Sequence, residues 1–262
     1  MNADAQNPPS ILDICQLSLQ QSDRPLCQSL NLTIHQGDAW VILGQNGCGK
    51  STLLSSLAGW HFPQTGHVLL HNKSLKQWPS RERAQHMAWL CQQDDNPFPS
   101  TVLEKVLTGC HSRLKRWQWE SQQDHQHAEN LLTALDLAGF ATRDLSTLSG
   151  GERRRVSLAT VLMQQTPLLL LDEPLSQLDI HHQQQTLTLL NAERLLGKTI
   201  VMVSHDPNHA VRFASHVLLM FANGRWIAGP ITEVLTAQHL SALYDYPMRE
   251  ITQETHRWFV PA

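Results

Sequence analysis

Gly44-Gln45-Asn46-Gly47-Cys48-Gly49-Lys50-Ser51-Thr52 decides how the rest of this 262-residue chain is read. The stretch meets every fixed position of the pattern G-x-x-x-x-G-K-[ST]. Its neighbours supply the context that pattern needs: the apolar run Ala39-Trp40-Val41-Ile42-Leu43 reads as a buried strand, and Ser51 to Ala58 reads as a helix. Glycines, lacking a Cβ, let backbone N–H groups turn inward around the β- and γ-phosphates of a nucleotide. The N-terminus of the following helix adds partial positive charge. Lys50 contributes a full charge, and the Ser51 hydroxyl is placed for Mg²⁺. A glycine-rich turn arising by chance would have neither the strand before it nor the helix after it. The expectation is a nucleoside triphosphate bound by residues 44–52.

Composition narrows the class. A chain of this length can bury a core as one domain, or as a domain with a small subdomain. A net charge of −3 and a pI near 6.6 leave no electrostatic footprint for nucleic acid. Cys15, Cys27, Cys48, Cys91 and Cys110 are odd in number and lack C-x-x-C spacing, which suits reduced thiols better than disulfides or zinc. The first residues lack the basic and apolar regions of a signal peptide. Apolar runs such as Leu168 to Leu171 fall far short of the roughly 18 residues of a membrane span. Any membrane role must then come through a partner. The histidines at 125, 127, 181 and 182 raise a metal reading, but adjacent or alternate residues do not share a helix face.

Outward from the glycine loop, strands and helices alternate. Ile11 to Leu19 and Leu30 to Ile34 read as strands, with Gln20 to Pro25 as a turn. His67 to Leu70 and Met87 to Cys91 are further strands, and the second runs into the proline-punctuated stretch Gln92 to Pro99. Residues 100–147 are helical in pattern with no strand candidate, as an inserted helical subdomain would be. Within them Trp117-Gln118-Trp119 reads as a solvated helix junction; tryptophans without tracking basic residues argue little for nucleic acid. Pro167 to Asp172 and Thr199 to Val203 are buried strands, with a helix from His181 to Leu195 between them. Such alternation around a phosphate loop predicts a parallel sheet with helices on both faces and ligand at the carboxyl ends of the strands.

Three further groups then fall at that edge or resemble it. Asp172 and Glu173 end a leucine-rich strand; Asp172 suits Mg²⁺ as a hard oxygen ligand, and Glu173 can take a proton from attacking water. Two carboxylates can also end a strand by chance, an explanation weakened by the phosphate loop nearby. His205 ends the next apolar strand; a lone histidine there is more often structural, but its position favours a γ-phosphate contact. Leu148-Ser149-Gly150-Gly151-Glu152 opens the helix Arg153 to Met163 with a hydroxyl and exposed N–H groups, a second anion-binding geometry.

Together these residues resemble the ATP-binding cassette (ABC) ATPases over about residues 11–230. The family's elements occur in its order: Walker A at 44–52, a glutamine loop at Gln92, the LSGGE signature at 148–152, Walker B at 168–173, a D-loop at Ser176 to Asp179, and His205. The resemblance implies an α/β P-loop NTPase fold with an N-terminal antiparallel β portion and an inserted helical subdomain. Its core would span about 11–95 and 165–230, the helical subdomain about 96–164, and a short extension 231–262. It implies ATP and Mg²⁺ as ligands, Ser51, Gln92 and Asp172 around the metal, and Glu173, His205 and Gln92 at the reacting phosphate. It also implies a head-to-tail dimer, in which Ser149, Gly150 and Gly151 of one copy, with Asp179 nearby, close on nucleotide held by the other. The run Arg153-Arg154-Arg155 fits the basic residues that commonly follow the signature. One departure stands out: the family's adenine-stacking aromatic is missing, Gln20-Gln21 standing near its place, so weak base selectivity is expected.

A single cassette without a membrane segment resembles the ATPase subunit of an importer whose permease is a separate chain. That permease would meet the loop after Gln92, at Asp94 to Pro99 with the helix at Thr101, and a periplasmic or lipoprotein binding protein would act indirectly. Such a subunit sits on the cytoplasmic face of the inner membrane and does not bind nucleic acid. The stretches 233–236, 239–244 and 257–261 are similar to cassettes importing iron–siderophore, haem or cobalamin, and Asn96-Pro97-Phe98 leans towards the cobalamin type. A soluble cassette of the Fe–S assembly type is the alternative.

Overall fold

The computed structural model describes residues 8–92, 99–254 and 256–262. In chain order the strands are β1 (Ser10–Gln21), β2 (Arg24–His35), β3 (Ala39–Gly44), β4 (Thr65–Leu70), β5 (Lys73–Ser74), β6 (Met87–Leu90), β7 (Leu168–Asp172), β8 (Thr199–Val203), β9 (His216–Met220), β10 (Trp226–Pro230), β11 (Met248–Gln253) and β12 (His256–Pro261). The helices are α1 (Lys50–Leu57), α2 (Ser80–His86), α3 (Val102–Leu107), α4 (Gln122–Ala134), α5 (Gly150–Met163), α6 (Ile180–Leu195), α7 (Pro207–Phe213), α8 (Ile231–Val234) and α9 (Ala237–Tyr244).

The central sheet has the order β10-β9-β3-β8-β7-β6. Its strands from β6 to β9 pair in parallel, and β10 runs antiparallel on the edge. Strands buried on both faces must be apolar at every position, and the side-chain period of two then sorts them. Ala39, Val41 and Leu43 of β3 join one core with Leu169 and Leu171 of β7. Trp40 and Ile42 join the other with Leu168 and Leu170. The second core lies under α1 and an antiparallel sheet of order β2-β1-β4-β5. The first continues without a break into α3, α4 and α5, which lie between β6 and β7 in the chain, and on to the C-terminal elements.

Two local outcomes differ from the sequence expectation. β2 is longer than Leu30 to Ile34, because the turn is only Ser22-Asp23 and pairing resumes at Arg24. Pro25 is tolerated there since β2 lies at the sheet edge, where a missing N–H breaks no ladder. The signature helix begins at Gly150, not Arg153, because Ser149 supplies the cap. Residues 231–262, read only through resemblance, form α8, α9 and the hairpin β11–β12, which buries Phe259. No helix among the described residues is long and apolar enough to cross a membrane.

Candidate nucleotide site

β3 delivers the chain to the glycine loop, and α1 starts at Lys50. Gly49, the residue before α1, has φ +103°, and a Cβ there would stand 2.7 Å from Leu26 Cβ. Only glycine tolerates both demands. No side chain caps the first turn of α1, so its N–H groups remain for an anion. Lys50 is buried and folds back over the loop, its Nζ donating to Gly44 O at 2.8 Å and Gln45 O at 3.0 Å. Burial pulls its pKa down, opposed by the nearby side chains of Cys48, Glu173 and Asp172. The Cys48 thiol is also buried, and burial pushes its pKa up, which favours the unreactive thiol over the thiolate.

The Ser51 hydroxyl donates to Asp172 Oδ1 at 3.1 Å, joining the start of α1 to the end of β7. Asp172 is buried, and burial raises its pKa; the Ser51 hydrogen bond opposes this. A buried carboxylate beside a hydroxyl is a hard-oxygen donor pair that a divalent cation suits, so these residues fit Mg²⁺. Gln92 lines the same cavity, of about 590 Å³, together with Ser51, Thr52 and Asp172. Glu173, next in the chain, has φ +51°, a left-handed backbone that costs a non-glycine residue about 1 kcal/mol or more. Its Oε1 lies 2.6 Å from His205 Nε2, so the ends of β7 and β8 meet as the parallel sheet requires.

The remaining positions fall elsewhere. Ser149 accepts from Glu152 N at 3.3 Å while the Glu152 carboxylate takes Ser149 N–H at 2.7 Å, a complete capping box. Gly150 and Gly151 make room for the D-loop: a Cβ on either would strike Gln177, at 2.6 Å and 2.9 Å. Asp179 caps α6, accepting from His182 N at 2.9 Å, and its Oδ1 also lies 2.8 Å from His182 Nδ1. None of Ser149, Gly150, Gly151 or Asp179 lines the cavity that holds Ser51, Gln92 and Asp172.

Several contributors escaped the sequence reading. Gln20 and Gln21 do line the 590 Å³ cavity, but so do His61 and Trp89, aromatic rings from other elements. Each arginine of the run has its own task. Arg153 bonds Ser146 O, and Arg155 bonds Leu135 O and Asp136 O at the end of α4. Arg154 reaches Cys91 O, Gln92 O and Asp172 O, tying α5 to both loops of the site. A signal was present: Arg154 falls at helical spacing with Leu158 and Val161, and a cation on an apolar face must be paired. The stretch 93–98, with most of the expected permease contact, lies outside the described residues.

A family model described as ABC transporter matches residues 27–176. The petrobactin import ATP-binding protein of Bacillus anthracis is 38% identical over 228 residues, covering 86% of this chain and 82% of its own length. The ferric enterobactin transport ATP-binding protein of Escherichia coli is 36% identical over 234 residues, covering 87% and 85%. A solved structure described as an inward-facing, metal-chelate type ABC transporter superposes with a TM-score of 0.82 at 31% identity, covering 97% of this chain and 98% of that one. A bacterial ABC transporter cassette solved as a dimer superposes with a TM-score of 0.75 at 25% identity, covering 82% and 97%.

Proposed function

The chain belongs to the ATP-binding subunits of ABC transporters, and from that premise we propose that it drives import of an iron chelate, an iron–siderophore or haem, through a separate permease. Subunits of this kind are ATPases that dimerise and work with a membrane partner. The relatives named above serve petrobactin import and ferric enterobactin transport, which supports a siderophore-like cargo over cobalamin. Nothing in the site or in those relatives favours an Fe–S assembly role. A binding protein outside the membrane would present the cargo, and this subunit would sit on the cytoplasmic face.

One observation carries the reading. Lys50, the Ser51–Asp172 pair, Gln92 and the Glu173–His205 pair converge at the carboxyl edge of the central sheet, while the signature residues stay apart. The glycine loop and Lys50 hold the triphosphate through N–H groups and charge. Ser51 and Asp172, with Gln92 beside them, would hold Mg²⁺, which would supply positive charge to offset that of the triphosphate. Glu173 takes the proton from the attacking water, and His205, already 2.6 Å from it, steadies the γ-phosphate. Ser149, Gly150 and Gly151 of a second copy complete the site from the other side. Losing the γ-phosphate removes what bridges the two copies, so the dimer opens and the permease changes its facing.

Uptake of a labelled ferric siderophore and of labelled haem, in cells with the parent chain or Lys50→Ala, tests the proposal. Loss of one uptake identifies the cargo. Retention of both in the Lys50→Ala cells rules out the iron-chelate reading.

A further inference from the structure

The C-terminal extension reaches the loop that carries His205. β8 ends at Val203 and α7 starts at Pro207, so Ser204, His205 and Asp206 form a three-residue bridge between two packed elements. The near side is anchored by Ser204 N–H donating to Ile42 O at 3.1 Å. The far side is held from the last thirty or so residues of the chain. Tyr244, the final residue of α9, donates its hydroxyl to His205 O at 3.3 Å. Burial and the neighbouring Asp206 charge push the Tyr244 pKa up, so the hydroxyl keeps the proton it donates.

Asn208 supplies a second attachment. Its side-chain amide accepts Phe259 N–H at 2.8 Å and donates to Phe259 O at 3.1 Å, pairing with β12 as a neighbouring strand would. The hairpin carrying Phe259 is itself stiffened. Arg257 bonds the Glu250 carboxylate through two nitrogens, at 2.6 Å and 3.2 Å, and Leu235 O at 3.0 Å. Phe259 is buried in the core that includes Phe213 of α7 and Leu240 and Leu243 of α9. His205 has no such packing of its own, since 45% of its side chain is exposed. Its aim at Glu173 therefore depends on how firmly its backbone is held.

We infer that α9 and β12 brace the His205 loop, with Tyr244 and Asn208 as positioning residues for hydrolysis. The inference rests on the reading of His205 as the γ-phosphate contact. A preorganised donor accelerates a reaction only while its direction is fixed before charge develops. A frayed brace would leave nucleotide binding at Lys50 and the glycine loop intact and lower the chemical step alone.

Tyr244→Phe in the full-length chain removes one hydroxyl without opening a cavity. The expected result is kcat for ATP hydrolysis lower by about threefold or more, with KM for ATP held within about twofold. Asn208→Leu is expected to lower kcat likewise and to speed amide hydrogen exchange at residues 205, 206 and 208. A kcat within about threefold of the parent in Tyr244→Phe, or a fall accompanied by an equal rise in KM, overturns the brace. His205→Ala separates the two levels. If it hydrolyses ATP normally, the γ-phosphate reading itself falls; if it is inactive while Tyr244→Phe is normal, only the brace falls.

Discussion

α1 and α5 both begin on glycines beside a serine, yet their first turns are treated in opposite ways. At α1 the residue before the helix is Gly49, no side chain caps the turn, and a buried lysine lies over the loop. At α5 the first turn is closed by a capping box between Ser149 and Glu152, like those that open α3 and α4. The glycines differ too. Gly47 and Gly49 take positive φ, whereas Gly150 and Gly151 keep ordinary backbone and give their space to Gln177. The lesson is that a glycine-rich helix start is not one kind of site. Under the proposed function the first holds a phosphate within its own chain, and the second, its turn already capped, would meet one only when another copy brings it.

The strongest way to break that comparison is to damage each start in a different copy. Lys50→Ala should lower ATP hydrolysis by about a hundredfold or more. Gly150→Asp, placing a carboxylate where phosphate is expected, should be comparably inactive. Mixed together, the two inactive proteins should regain about a quarter of the parental rate, since half the dimers then hold one intact pairing of loop and signature. No recovery on mixing would mean that both starts serve the same chain.

A second contrast concerns pH. Burial raises the pKa of Asp172 from 3.8, so the folded chain holds this proton longer than the unfolded one. Stability then falls as pH rises from about 3.8 through the raised value, and stays lower above it. Hydrogen bonds from Ser149 lower the pKa of Glu152 from 4.5, so its contribution has the opposite sign. It is present above about 4.5 and lost as pH falls through the lowered value. Thermal unfolding without nucleotide, compared at acid and neutral pH, should show Asp172→Asn gaining on the parent as pH rises and Glu152→Gln losing ground. Slopes of the same sign would remove the distinction between the two starts.

The smallest effect sharpens the picture. Ser149→Ala should cost about 1 kcal/mol of stability, read from denaturant unfolding, because it removes the cap of α5. ATP binding by the unpaired subunit should be unchanged. A weakened affinity there would mean that Ser149 meets nucleotide within its own chain.

How much was legible depended on whether the cause was local. The strand–loop–helix at 39–58 was readable because its apolar run, glycines and lysine are contiguous. β7 and β8 were readable because burial on both faces demands unbroken apolar runs. The extent of β2 was not, since only its edge position makes Pro25 acceptable. The hairpin β11–β12 was missed for a similar reason: its exposed residues, such as Ile251 and Glu250, give no clean alternation, and burial of Phe259 against distant elements defines it. The tasks of Arg154 and Tyr244 were hidden because both bond to backbone carbonyls, which carry no residue identity in a sequence.

By itself the sequence determined which chemical groups are present and in what order: a phosphate loop, a glutamine, a capped glycine pair, two carboxylates and a histidine. Tertiary structure alone decided which of them meet. The sheet pairs its strands in the order β9-β3-β8-β7-β6, so strands far apart in the chain become neighbours whose carboxyl ends share one edge. Lys50, Gln92, Asp172, Glu173 and His205 all sit on segments leaving that edge, and the signature heads a helix outside the sheet. Parallel pairing needs long crossovers, and those crossovers separate in sequence what the sheet brings together in space.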